Sequence, residues 1–276
     1  MKKFFVVVIV LMFAFFFWWG KSMNKIEVLR VGTDCDYPPQ SWEEDVSTNS
    51  NVPLLNKAGS YAEGYDIQIA KLVAKELGAK LEVRKIAWQD LLHALNRREI
   101  DAIFSGVLDT ASRREQVAFT VPYEVRKAEY VMLIHSKSRY TVRRSIGDFA
   151  GAVIVAQSGT TFEAAIDQIP GAVHAPSVNT TREMLDKVIS GEADGAIVDI
   201  DAGRSCERTY PNIKMIRFAE GKGFVLPYTG ICAAVRKRDT HLLEAINSVL
   251  EDTSERDRQR IMDATIAREW ENLRQY

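Results

Sequence analysis

An α/β fold in two lobes is what the sequence predicts, on three observations. Strand-like and helix-like segments alternate along the chain, the alternation starts over near the middle, and 276 residues exceed what one hydrophobic core usually organises. Lysine plus arginine number 36 against 37 aspartate plus glutamate, so the surface is balanced in charge. Nothing resembles the basic field that phosphate contacts need, and nucleic acid is excluded as an expected partner.

The first segment stands apart from the fold. Met1, Lys2 and Lys3 precede an apolar run over residues 4–19, and Gly20, Lys21 and Ser22 follow it. A charged start and a short apolar segment make the secretory pattern, whereas a spanning helix takes about 20 apolar residues. Residues 1–22 are therefore read as an export signal or N-terminal anchor. Small residues at cleavage spacing are missing before Lys21, and Trp18 and Trp19 suit a membrane interface, so removal and retention both stay open. Removal near Ser22 takes Lys2, Lys3 and Lys21 and no acid, which leaves a mildly acidic chain. No cysteine follows the run to accept a lipoprotein acyl chain. Cys35, Cys206 and Cys232 match no zinc spacing and read as small buried apolar residues.

Residues 28–31 alternate as a short strand and run into Gly32-Thr33-Asp34-Cys35-Asp36-Tyr37-Pro38-Pro39, where the prolines end regular structure. Residues 43–64 are polar and rich in Ser, Asn and Gly, an exposed excursion or hairpin. Asp66 is read as the cap of a helix whose Ile69, Val73 and Leu77 share a face and which Gly78 stops. A strand over residues 81–86, a helix opened by Asp90 and carrying Leu91, Leu92 and Leu95, and a buried strand over residues 101–104 complete the first half-pattern. The second repeats it. Residues 152–156 form a strand, Thr180 or Thr181 caps a helix with Met184, Leu185 and Val188, and residues 196–198 form a strand before Asp199. A last strand over residues 231–235 and helices from Thr240 and Ser254 follow.

This pattern predicts two mainly parallel sheets flanked by helices, with the chain crossing between lobes twice. Residues 123–127 and 224–230 are the hinge candidates. The expected partition is residues 23–123 and 228–276 for lobe 1 and residues 124–227 for lobe 2.

Ligand groups are expected where such strands give way to loops. Arg113 follows the strand that ends at Phe104, and its planar fork can hold a carboxylate through two bonds. Gly159, Thr160 and Thr161 open a helix in the second half, where first-turn amides favour an anion. Together they suit a zwitterionic amino acid, whose two charges must both be satisfied if they are to be buried.

Several motifs carry a resemblance that spans nearly the whole chain after the export segment. They are the loop from Thr33 to Pro39, Gly64-Tyr65-Asp66 with Ala70-Lys71, and the turn Asp101-Ala102-Ile103-Phe104-Ser105-Gly106 followed by Arg113. Phe119-Thr120-Val121-Pro122-Tyr123 and Gln157-Ser158-Gly159-Thr160-Thr161 continue the series. In this order the chain resembles the family 3 amino-acid-binding proteins of ATP-driven ABC importers, which have a two-lobed periplasmic-binding-protein-like fold.

The resemblance implies a site. Arg113 and the amides near Thr161, with Gly159 and Thr160 in the same loop, would take the carboxylate; Asp199 and the Gly106 carbonyl, beside Ser105, would take the ammonium. Tyr37 and Trp88 would flank the side chain, and Asp34 and Gln157 would line the distal pocket. Leu108 stands where the family often has Ser or Thr, so only its backbone can serve the amino group. Asp34 points to a basic ligand, with glutamine second.

The resemblance further implies a non-catalytic, monomeric protein of the periplasm or extracellular surface, which delivers a free amino acid to a membrane permease and uses no cofactor or metal. His93, His135, His174 and His241 have no ligand spacing, and no Ser, His and Asp trio emerges. Asp109, Arg114 and residues 251–260 read as solvated helix faces. Two alternatives share the resemblance. One is a ligand-sensing subunit. The other is a cyclohexadienyl dehydratase, whose relatives carry a Glu three positions after Asp199 where this chain has Ala202.

Overall fold

The computed structural model describes residues 25–124, 129–226 and 230–273. The apolar N-terminal run lies outside them, as do residues 125–127 and 227–229 of the two hinge candidates.

The first lobe is built on a five-stranded sheet in the order Lys80–Lys85, Val28–Thr33, Ala102–Ile103, Ala234–Arg236 and Val117–Phe119. The first three strands run parallel, as strands joined by crossover helices must. Ala234–Arg236, which brings the chain back from the second lobe, runs antiparallel to both its neighbours, and Val117–Phe119, which sends the chain there, points the same way as the first three. The helix Tyr65–Glu76 lays Tyr65, Ile69, Ala70 and Val73 onto this sheet, where Leu29, Val31, Phe104 and Val235 complete the core with Ile246 and Leu250 of the helix Thr240–Asp252.

The second lobe repeats the design. Its five strands run in the order Val173–His174, Val153–Val155, Gly195–Asp199, Tyr130–His135 and Ile213–Ile216. Four strands point the same way and one, Tyr130–His135, runs antiparallel to both its neighbours. Apolar residues cover both faces, with Val131, Leu133, Leu185 and Val188 in one cluster and Met132, Ile134, Phe149 and Ile197 in the other. The helix Thr181–Ser190 has the cap expected of Thr180, whose hydroxyl accepts from the Glu183 amide while the Glu183 carboxylate reaches back. The lobes are joined where Ile231 N donates to Glu124 O at 3.0 Å and Glu124 N to Ile231 O at 3.4 Å, so the two crossovers pair with each other.

Four local readings change. Residues 43–64 are not a bare excursion: Ser41–Glu44, Val52–Pro53 and Tyr61–Glu63 join Asp36–Tyr37 in a four-stranded antiparallel sheet. Leu54 and Ala62 from it are buried against Cys35, Ile67 and Val83, a packing that its polar composition conceals. Asp66 is not a cap. The helix starts one residue earlier from Gly64, at φ 131°, where a Cβ would run into the Gln40 backbone, and Asp66 is instead wholly buried in the first turn. The helix predicted from Asp90 starts at Leu91, after a 3₁₀ turn at Trp88–Asp90, and no Asp90 side-chain cap bond forms. The last strand begins at Ala234, because Ile231 is used to bridge Leu108 and Glu124. Cys35, Cys206 and Cys232 are free and buried, and burial holds each thiol well above its ordinary pKa.

Candidate functional site

A cleft lies between the two five-stranded sheets, and its walls are the loops that follow strand ends. Asp34 and Tyr37 follow Val28–Thr33, Trp88 follows Lys80–Lys85, and Ser105, Gly106 and Leu108 follow Ala102–Ile103. From the other lobe, Gln157, Thr160 and Thr161 follow Val153–Val155, and Asp199 ends Gly195–Asp199. Arg113 lies in the short helix Ala111–Arg114, which the Thr110 hydroxyl caps by accepting from the Arg113 amide at 3.3 Å. Every residue singled out from the sequence lines this cleft except Gly159, which stands just behind the wall and touches it through its carbonyl.

Arg113 reaches across the cleft. Nη1 donates to Leu108 O at 2.9 Å on its own lobe, Nη2 donates to Gly159 O at 3.2 Å on the other, and the guanidinium lies 5.1 Å from the Trp88 ring centroid. Trp88 is thus a plate for Arg113 itself through a cation–π contact. The opposite loop is tied internally: Thr160 Oγ donates to Gln157 O at 2.7 Å, and the Gly159 amide donates to Glu163 Oε2 at 2.8 Å. That amide, expected to serve an anion, is occupied by the chain's own carboxylate.

Tyr37 does more than flank. Its hydroxyl donates to Asp199 Oδ2 at 2.6 Å and accepts from the Asp199 amide at 3.1 Å, a pair that joins the lobes. Asp199 also caps the helix Ile200–Thr209, with Oδ1 accepting from the amides of Asp201 at 2.8 Å and Ala202 at 3.0 Å. Burial raises the Asp199 carboxyl above its ordinary pKa, against the hydrogen bond from Tyr37. A further bond across the interface is the Thr181 amide donating to Asp36 Oδ2 at 2.6 Å.

Asp34 sits deepest. It is 7% exposed, and its Oδ1 accepts from the hydroxyls of Ser105 at 3.0 Å and Ser41 at 3.3 Å. Burial pushes its carboxyl up to about 6, with the two hydroxyls restraining the rise. The group is therefore mostly ionised near neutrality and only marginally so, a state that a cation nearby would secure. Gln157 spends its Nε2 on the Asn179 carbonyl at 2.9 Å, which fixes the amide orientation and makes Oε1 an acceptor.

The cleft also holds residues that sequence reasoning missed. Phe162 stands 4.7 Å from Tyr130 and 5.9 Å from Tyr37 between ring centroids, so three aromatic rings form an apolar wall. Glu124 and Glu129 line it from the ends of the first crossover, and Gln40 and Asp201 join them. Phe162 was findable as the neighbour of Thr161. The glutamates carry no local signal, since the crossover was read for its hinge and not for its side chains. Glu129 is paired with Arg217 through bonds of 2.9 Å each and Asp201 with Arg204 at 3.2 Å, so less of their charge reaches the cleft. Asp34 and Asp199 stand in the described lining with Arg113.

The chain as a whole resembles known proteins. Residues 29–264 match the family described as bacterial extracellular solute-binding proteins, family 3. The putative ABC transporter arginine-binding protein 2 of Escherichia coli K12 is 26% identical over 233 residues, which cover 83% of this chain and 86% of that protein. A cyclohexadienyl dehydratase of Pseudomonas aeruginosa is 28% identical over 209 residues, covering 72% and 71%. Among solved structures, holo ArgBP from T. maritima superposes with a TM-score of 0.68 at 28% identity, over 86% of this chain and 94% of that one.

Proposed function

The chain belongs to the bacterial extracellular solute-binding proteins, family 3, and from that premise we propose that it captures a free basic amino acid between its lobes and hands it to an ABC permease. What supports the reading most is the pairing of opposite charges across the cleft. Arg113 offers a planar cation for a carboxylate, Asp199 an acceptor for an ammonium, and Asp34 a buried carboxylate for a second cation at the far end of the ligand. Relatives named for arginine make arginine the first ligand to test, and the acceptor at Gln157 Oε1 suits a guanidinium. The same atom serves a glutamine amide, which stays second.

The twelve residues from Asp34 to Asp199 named from the sequence are the proposed site, with Phe162 added as a wall for the aliphatic stem. Lobe 1 comprises residues 23–123 and 228–276, lobe 2 residues 124–227. Ligand docks first on lobe 1, where Arg113, Trp88 and Asp34 lie, and rotation about the crossovers brings Asp199 and the Thr161 loop onto it. The Tyr37–Asp199 bond is then a ligand-independent contact of the closed arrangement. The protein works outside the cytoplasm, released or tethered by residues 1–22.

Calorimetry on refolded, ligand-stripped protein with a panel of amino acids tests the reading. Arginine binds tightest, and failure of every amino acid at millimolar concentration overturns it. Incubation with prephenate or arogenate tests the dehydratase alternative, which the relative in Pseudomonas keeps worth one assay. No product is expected: that chemistry needs a general acid, and buried Ala202 stands where those relatives carry a Glu. Light scattering at micromolar concentration gives a monomer, since one chain supplies the whole cleft; a stable dimer would contradict this.

A further inference from the structure

Asp66 is a buried acid to which nothing above gives a task. It lies in the first turn of the helix Tyr65–Glu76, wholly inside lobe 1. Its Oδ2 accepts from the Gly106 amide at 2.7 Å and its Oδ1 from the Tyr123 hydroxyl at 2.6 Å. Gly106 lines the cleft, and Tyr123 opens the first crossover. Tyr65 reinforces the second end by donating its hydroxyl to Tyr123 O at 2.9 Å, and the next residue, Glu124, pairs with Ile231 of the return crossover.

We infer that Asp66 is a positioning residue for ligand capture, a single buried carboxyl group that fixes the Gly106 turn at one end and the Tyr123 crossover at the other. The inference rests on the cleft being the amino-acid site. Gly106 has φ 59°, a conformation that no side chain of its own stabilises, so its peptide takes its orientation from outside partners. With the amide held toward Asp66, the planar trans peptide aims the Ser105 carbonyl the opposite way, off the buried acid. The Gly106 carbonyl expected to receive the ammonium belongs to the next peptide, so the held amide fixes the plane from which that acceptor projects into the cleft. Tyr123, also wholly buried, stacks on Phe104 at 5.6 Å between centroids, and this places the crossover on the strand that leads into the same turn. An acid here costs desolvation that an apolar residue would not, and two directed bonds to two functional segments are what it returns.

A double-mutant cycle read by arginine calorimetry tests this. Tyr123→Phe keeps the ring and removes one bond; it weakens binding about fivefold. Asp66→Asn cannot accept at both atoms and weakens binding about tenfold or more. The double variant is no weaker than Asp66→Asn alone, because both changes cut one link. A purely structural acid would lower the ligand-free melting temperature and leave affinity alone. Affinity of Tyr123→Phe within twofold of wild type, or losses that multiply in the double variant, would sink the inference. If Asp66→Asn fails to fold, Tyr123→Phe decides by itself. Wild-type protein that binds no amino acid removes the site reading and this inference together, an outcome distinct from normal wild-type binding with indifferent variants.

Discussion

Arg113→Ala protein is expected to lose ligand binding while its ligand-free form melts within a few degrees of wild type. The guanidinium is the described cation in the cleft wall, and a carboxylate gripped by two parallel N–H bonds is held by charge as well as geometry. Losing such a pair costs about 2 to 5 kcal/mol, or about 30-fold to a few thousand-fold in Kd. The fold loses less. Among its described contacts, Arg113 gives its lobe a bond to Leu108 O and a cation–π contact with Trp88, and at a part-exposed position these amount to about 1 kcal/mol. For a chain of this size that is a shift of about 2–4 °C. Arg113→Lys separates charge from shape: it keeps the charge, loses the fork, and should fall between the two. Calorimetry beside thermal melts of the ligand-free proteins makes the comparison, and an Arg113→Ala Kd within about threefold of wild type removes the residue from the site.

The second large effect is at Asp34, where affinity and stability are expected to move in opposite directions. Asp34→Asn keeps the shape and the acceptor for Ser105 and Ser41 and removes the charge. Arginine should bind about 1 to 3 kcal/mol more weakly, and glutamine much less so. In ligand-free protein the burial that pushes this carboxyl up to about 6 is a cost of folding in the ionised state. A folded pKa above the unfolded value means that its stabilising contribution is full below about pH 4 and lost as pH rises through about 6. Asparagine escapes that loss, so the ligand-free variant should melt above wild type at pH 7.5. Binding runs the other way with pH, since arginine needs the ionised form. Wild-type affinity for arginine should fall about tenfold from pH 7.5 to pH 5, and the variant should lack most of that dependence. Equal losses for arginine and glutamine, or wild-type protein that prefers glutamate, would show that Asp34 does not set the charge preference.

Much of the molecule is legible in the order of residues, because the interactions concerned lie within a few positions of each other. Two-residue alternation marks the strands at Val28–Thr33 and Lys80–Lys85, four-residue spacing marks the buried face of Tyr65–Glu76, and Thr180 with Glu183 signals a capping box. Loops after strand ends pointed to Arg113 and to Gly159, Thr160 and Thr161, and the family resemblance supplied the other candidates, which line the same cleft. What the order of residues left open is which side chains meet across lobes. Tyr37 and Asp199 stand 162 positions apart and share two hydrogen bonds; alternation predicted the loop for each and nothing of their pairing. Asp66 looked like a cap by its place before an apolar helix, but its partners Gly106 and Tyr123 are 40 and 57 positions away and its burial follows from them. Glu124 and Glu129 enter the cleft only because the chain crosses there. Periodicity records which face of an element is apolar; the partner brought to that face, and with it the charge a buried carboxyl carries, is decided by packing between distant segments.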